Sequence, residues 1–257
     1  ASSPRLTDLG THAAELPAGL LVSGSTRQDG HVVLADVTPT IAALAGAEID
    51  EGALEGRAVE RGAVGGSAEE RIDTLVGADA VARFRDRMIG PVATAYITAV
   101  CMLALAAVVV VARQRRSRAL GYAALAVLGV TPMTYLARLL PFHDWGPVPY
   151  GLFLVAGSLA LAVLYGLLRR RSWLHPLAAA YVVVLVVIVA NVSVLGSRLQ
   201  LGSVFGDSAI VAGRFNGVNN VMFAQLVIAA AVQAQLIEVN RLPETGRGAG
   251  GFGSTGI

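Results

Sequence analysis

From residue 91 onward the chain alternates long apolar runs with short polar breaks. The runs cover residues 91–112, 119–140, 148–168, 174–195 and 221–237. Each approaches the roughly 20 residues a helix needs to cross about 30 Å of hydrocarbon. Lipid offers the backbone no hydrogen-bond partner, so runs of this length span as helices. The pattern predicts a mainly α protein, with a polytopic helical membrane domain of about five spans over residues 91–237.

The first ninety residues read differently. Short β-rich runs at 20–23 and 31–34 flank a polar stretch ending in Asp29-Gly30, a pair suited to a turn that needs positive φ. A short helix is expected next: Thr38 is a natural N-cap, Pro39 fits the first helical position and Gly46 fits a left-handed stop. Ile41, Leu44 and Ala45 share one face of it. Ser67-Ala68-Glu69-Glu70 forms a capping box before an apolar stripe of Ile72, Leu75 and Val76. After Gly77 the stripe resumes at Val81, Phe84 and Met88, with Arg83, Arg85 and Arg87 interleaved, as expected of a helix near a membrane surface. So few strands cannot build a large α/β core. Residues 1–66 are therefore expected to be the tail of an extracytoplasmic α/β domain, with a juxtamembrane helical linker at 67–90 and a Gly-rich tail at 238–257.

Charge sets the expected orientation. Arginines crowd the breaks at 113–118 and 169–171, whereas the break at 141–147 has none. Short basic loops stay cytoplasmic. The 196–220 loop is then outside, the C-terminus cytoplasmic and residues 1–90 extracytoplasmic, in a multi-pass protein of the cell membrane. No stretch before residue 91 has the basic flank and apolar core of a leader, so further sequence is expected upstream.

Composition narrows the chemistry. The net charge is only +2, which gives no support to a nucleic-acid role. All 20 basic residues other than histidine are arginine. The single cysteine, Cys101, permits no intramolecular disulfide and no cysteine metal cluster. The apolar runs carry no central Asp, Glu or Lys, which argues against an ion-coupled transporter. Asn191, Gln225 and Gln233 are expected to hydrogen-bond between helices. The glycines of 246–256 suit a flexible tail. Neither a nucleotide-binding glycine loop nor a catalytic triad is recognised.

The segment from Gly19 to Thr40, with Asp36-Val37-Thr38-Pro39-Thr40 and then Leu44-Ala45-Gly46, resembles the C-terminal end of the alkaline phosphatase and sulfatase superfamily. The layout as a whole resembles uncharacterised actinobacterial membrane proteins in which such a domain precedes several spans. Arg214-Phe215-Asn216-Gly217-Val218-Asn219-Asn220 is similar to an external segment of those proteins, departing from it at Asn216 and Asn219. The resemblance implies divalent metal ions held by Asp and His ligands, and a Ser or Thr nucleophile, mainly in sequence upstream of Ala1. It implies a phosphoryl or sulfuryl ester hydrolase or transferase acting on an envelope component. The alternative is a non-catalytic scaffold or glycan-handling protein with a degenerate phosphatase-like region. Its partners would be the lipid bilayer and an envelope glycan or phospholipid-linked substrate.

Candidate residues follow from their settings. Arg27, on a Gly-flanked loop, is either a fork for an anionic oxygen or a solvated side chain. His31 is either a metal ligand, though a few residues later than the superfamily's own, or a structural histidine. In the 196–220 loop, Arg214, Asn216, Asn219 and Asn220 could converge with Asp207 on a glycan or phosphate, or merely line a connector. His143-Asp144-Trp145 reads as an interfacial anchor rather than a catalytic group and His175 as an interface residue, His12 has no acidic or histidine partner at useful spacing, and Arg138 is placed to snorkel.

Overall fold

The computed structural model describes residues 6, 9–10, 18–47, 54–62, 66–115, 117–171, 176–210 and 215–232. Helix accounts for 67% of the structure and strand for 4%, so the protein is mainly α.

Strand β1 (Leu21–Ser23) pairs antiparallel with β2 (Val59–Arg61), Leu21 facing Arg61. The strand expected at 31–34 does not form. Asp36 Oδ2 accepts the Val33 N–H at 3.0 Å, and Leu34–Asp36 winds into a single 3-10 turn. A side chain offering the backbone a local partner competes with a sheet ladder, and here it wins. Helix α1 (Val37–Leu44) follows with Asp36, not Thr38, as its N-cap residue, so Pro39 is the third helical residue. Gly46 ends it at φ +67°. The apolar face expected to pack is turned outward: Ile41 is 62% exposed and Leu44 40%, while Pro39 and Thr40 are buried. Thr40 is drawn in because its hydroxyl donates to the Asp36 carbonyl and accepts from the Val59 N–H at 2.9 Å.

The capping box forms as expected. Ser67 Oγ accepts from the Glu70 N–H at 3.1 Å and Glu70 Oε2 from the Ser67 N–H at 2.8 Å. It opens α2 (Ala68–Ala112), which runs unbroken through Gly77, Gly90 and Pro91. The expected linker and the first apolar run are thus one rod of 45 residues, about 67 Å at 1.5 Å per residue. That far exceeds the roughly 30 Å of hydrocarbon, so its polar first half projects beyond the apolar second half. The apolar half is bare: Leu105 is 63% exposed, Val108 66% and Val111 73%.

Helix α3 (Arg118–Leu136), extended by a 3-10 turn at Ala137–Leu139, is the centre of the bundle. It packs most closely on α5 (Pro147–Arg171) and also touches α2 and α6 (Pro176–Ser193). A Cβ on Gly129 would stand 3.3 Å from the Ser158 Cα and carbonyl oxygen, so α3 and α5 meet backbone to backbone. Residues without a bulky side chain permit such close approach of two helices. Between α3 and α5 the short helix α4 (Phe142–Trp145) buries Phe142 against Tyr150 and Phe153 and leaves Trp145 53% exposed.

Among the described residues three helices are long and apolar enough to cross a membrane: α2, α3 with its 3-10 extension, and α5. Helix α6 and α7 (Asn220–Val232) are shorter, and residues 233–237 of the fifth apolar run lie outside the described residues. Gly129 meets Ser158 and Gly166 meets Tyr122, so α3 and α5 are antiparallel, and residues 113–115, 117–118 and 169–171 fall at one end of the bundle. The 141–147 break, residues 196–210 and 215–219, and the β1–α1 unit gather at the other.

Candidate functional site

The β1–α1 unit is organised around one carboxylate. Asp36 is fully buried, and its oxygens accept from Ser23 Oγ at 2.7 Å, Ser25 Oγ at 2.6 Å, and the Val33 and Arg57 N–H groups at 3.0 Å each. Burial alone would raise its pKa. The hydrogen bonds from Arg57, Ser25, Ser23 and Val33 outweigh it and hold the group below the ordinary carboxylate value. Every lone pair is engaged, so Asp36 is a structural staple that fixes the 23–36 loop.

That loop clasps the bundle. Gln28 Nε2 donates to the Gly196 carbonyl at 2.7 Å and to the Phe215 carbonyl at 3.3 Å. The His31 ring lies 6.0 Å from the Phe215 ring, centroid to centroid. Its Nδ1 is 3.2 Å from the Asp29 carbonyl, which assigns the proton to Nδ1. Burial lowers the His31 pKa, with that hydrogen bond opposing, so the ring is neutral near pH 7.

The described part of the loop after α6, residues 196–210, is itself pinned to the helices below. Arg85 donates to the Ser203 and Gly206 carbonyls at 3.3 and 3.0 Å, and Arg138 Nε to the Leu201 carbonyl at 3.0 Å. Tyr135 donates to the Phe205 carbonyl at 3.0 Å, and Ser203 Oγ to that of Thr134. Val204 is buried among Met88, Met133, Phe142 and Leu154. Residues 199–206 thereby form a packed plug at this end of the bundle.

Between the clasped unit, the first turns of α2 and the plug lies a cavity of about 360 Å³. Gln28, Asp29 and His31 line it from above, Thr74, Ala78 and Val81 from α2, and Arg138, Arg198 and Leu201 from the bundle side. Two guanidiniums face one carboxylate across walls that are otherwise largely apolar. An amphiphilic anion suits such a space.

The residues singled out in the sequence fall unevenly on this geometry. His31 lines the cavity; among the described residues no group of three His, Cys, Asp or Glu side chains could hold a metal ion. Arg27 is exposed at φ 52°, away from the cavity lining. Asn216 Oδ1 accepts from Ser197 Oγ at 3.0 Å and from the Gly217 N–H at 2.8 Å. Asn219 is buried and caps α7, its Oδ1 accepting the Met222 N–H at 2.8 Å. These two asparagines shape the loop, and Asn220 stands exposed at the start of α7. Arg214, His12, His175 and Gln233 lie outside the described residues. Asn191 does not bridge helices: its Oδ1 accepts the Leu199 N–H at 2.9 Å, while the Gln225 Oε1 has no partner among the described residues.

Nothing in the sequence marks Arg198 or Asp29 as cavity residues, and the position of Arg138 near a helix end indicates only a snorkelling side chain. No local signal marks them, because they converge from segments far apart in the chain.

No family model matches the chain, and no solved structure matches it. Short stretches are similar to curated deoxyuridine 5'-triphosphate nucleotidohydrolases. That of Nautilia profundicola is 70% identical over 33 residues, 13% of this chain and 23% of the relative. That of Rhizobium etli is 46% identical over 52 residues, 20% and 30% respectively. That of Beijerinckia indica is 55% identical over 42 residues, 16% and 26%. The chain spans less than a third of the length of these relatives.

Proposed function

We propose that this chain is the membrane part and closing edge of an extracytoplasmic phosphoryl or sulfuryl ester hydrolase or transferase, working on a cell-envelope component. The observation that carries the reading is the clasp. A stapled 23–36 loop, in the segment resembling the end of an alkaline phosphatase-like domain, is fastened by Gln28 to the end of a bundle built of bilayer-length apolar helices. A soluble α2 could not leave its second half bare in water, so lipid is its natural solvent. The arginine-rich breaks at the far end favour a cytoplasmic position for that end, which supports a clasp on the outer side. Such an arrangement holds a catalytic unit at a fixed height above the outer leaflet, where lipid-linked phosphate esters are presented.

The metals that the resemblance implies would polarise the ester and lower the pKa of the attacking group. The described residues do not fit them: His31 has one carboxylate neighbour in the cavity lining, Asp29, and no second imidazole there. The work of the described residues is positioning. Metal analysis of the full-length protein together with a phosphodiester turnover assay tests the reading. Bound divalent metal and turnover are expected. Neither metal nor turnover would sink the hydrolase and leave a membrane scaffold.

The likeness to deoxyuridine 5'-triphosphate nucleotidohydrolases favours a second reading, in which a short stretch of the chain contacts the phosphates of a nucleotide. Calorimetric titration of the purified chain with dUTP separates the two. Saturable binding supports the nucleotide reading, and no heat of binding removes it.

A further inference from the structure

We propose that the cavity under the clasp is a binding site for a phosphate group, held by Arg138 and Arg198. The inference rests on the membrane reading above but not on catalysis.

Three features carry it. The first is size: about 360 Å³ accepts a phosphate and the glycerol or first methylenes attached to it, and falls within the range of small-molecule sites. The second is chemistry. Arg138 spends its Nε on the Leu201 carbonyl, which fixes the guanidinium plane. Planar guanidiniums grip phosphate oxygens two at a time. Arg198 adds a second cation from the loop, and its backbone N–H is already bonded to Leu195, so its peptide is anchored. Asp29 is the opposing charge in the lining, and neutral His31 adds none. The cavity is thus net cationic. The third is position. Arg138 ends the α3 segment that is long and apolar enough to span, which sets the cavity at the level of lipid headgroups. Leu201, Val81 and Ala78 give it walls that tolerate the apolar end of an amphiphile.

Two sources share this chemistry, free phosphate and a phospholipid headgroup. The test uses the full chain in detergent, with thermal unfolding and native mass spectrometry as readouts. The probes are inorganic phosphate, and mixed detergent micelles carrying either phosphatidylglycerol or, as a phosphate-free lipid with the same chains, diacylglycerol. Stabilisation by phosphatidylglycerol alone assigns the site to a lipid; equal stabilisation by inorganic phosphate assigns it to the free anion. Either outcome must fall about tenfold in affinity in Arg198→Gln, whose side chain is exposed and whose loss spares the fold. Ala78→Phe fills the cavity without changing charge and is expected to weaken binding as much. Arg61→Gln, exposed on β2, removes an equal charge elsewhere and should bind like wild type. The proposal is overturned if neither probe stabilises the protein, or if all three variants bind alike. Hydrolysis is not among the readouts, so loss of the enzymatic reading leaves this result standing, and the reverse also holds.

Discussion

Gln28 and Gly196 are 168 residues apart, yet the Gln28 amide donates to the Gly196 carbonyl at 2.7 Å. The same nitrogen reaches the Phe215 carbonyl, so one side chain ties the β1–α1 unit to residues on either side of the plug. Replacing Gln28 with Ala leaves two carbonyls unpaired and should cost roughly 1–2 kcal/mol of docking. The expected result is faster hydrogen exchange across residues 18–47, with exchange in α3 and α5 unchanged. Equal exchange in the variant would remove the clasp.

Asp36 makes the unit acid-sensitive. Its folded pKa lies below the ordinary 3.8, so its contribution is complete above that value and lost as pH falls through the lower, folded one. Asp36→Asn cannot accept all four bonds and is expected to cost about 2–4 kcal/mol. Protection of the Arg57 and Val33 amides, followed by exchange, is the measurement.

His31 gives a second, milder dependence. Burial holds its pKa below the ordinary 6.5, and the unfolded chain therefore takes up a proton first. Its stabilisation is complete above pH 6.5 and fades as pH drops from there through the folded value. His31→Phe should flatten the melting temperature between these limits; a wild-type slope retained in that variant would assign the dependence to another group.

Gly129→Leu drives a side chain into the Ser158 backbone, where nothing flexible can yield. Overpacking at such a site costs roughly 1–3 kcal/mol. A lower midpoint of thermal unfolding in detergent is expected, with a smaller drop for Gly129→Ala.

Asn219→Ala removes the cap of α7 and should cost about 1 kcal/mol. The expected signature is fraying confined to the first turn of α7, seen as faster exchange at Met222.

What was legible in the sequence was whatever is local. Apolar runs, arginine-rich breaks, the Ser67–Glu70 box and the positive φ of Gly30 and Gly46 each depend on residues a few positions apart. Hydrophobic period and cap chemistry act over one or two turns, so sequence alone settled the helical class and the main helices. What only the tertiary structure decided is which polar groups are spent. Asp36, Thr40 and Asn219 could each have faced a ligand; the fold uses them on its own backbone. Residues 59–61, not 31–34, pair with β1, because a carboxylate three residues on captured the Val33 amide. The cavity belongs wholly to the tertiary level. Gln28, Arg138 and Arg198 carry no signal in their own segments and come to line one cavity only where the clasp, helix end and plug are packed together, since electrostatic and hydrogen-bonding energies depend on distance in space.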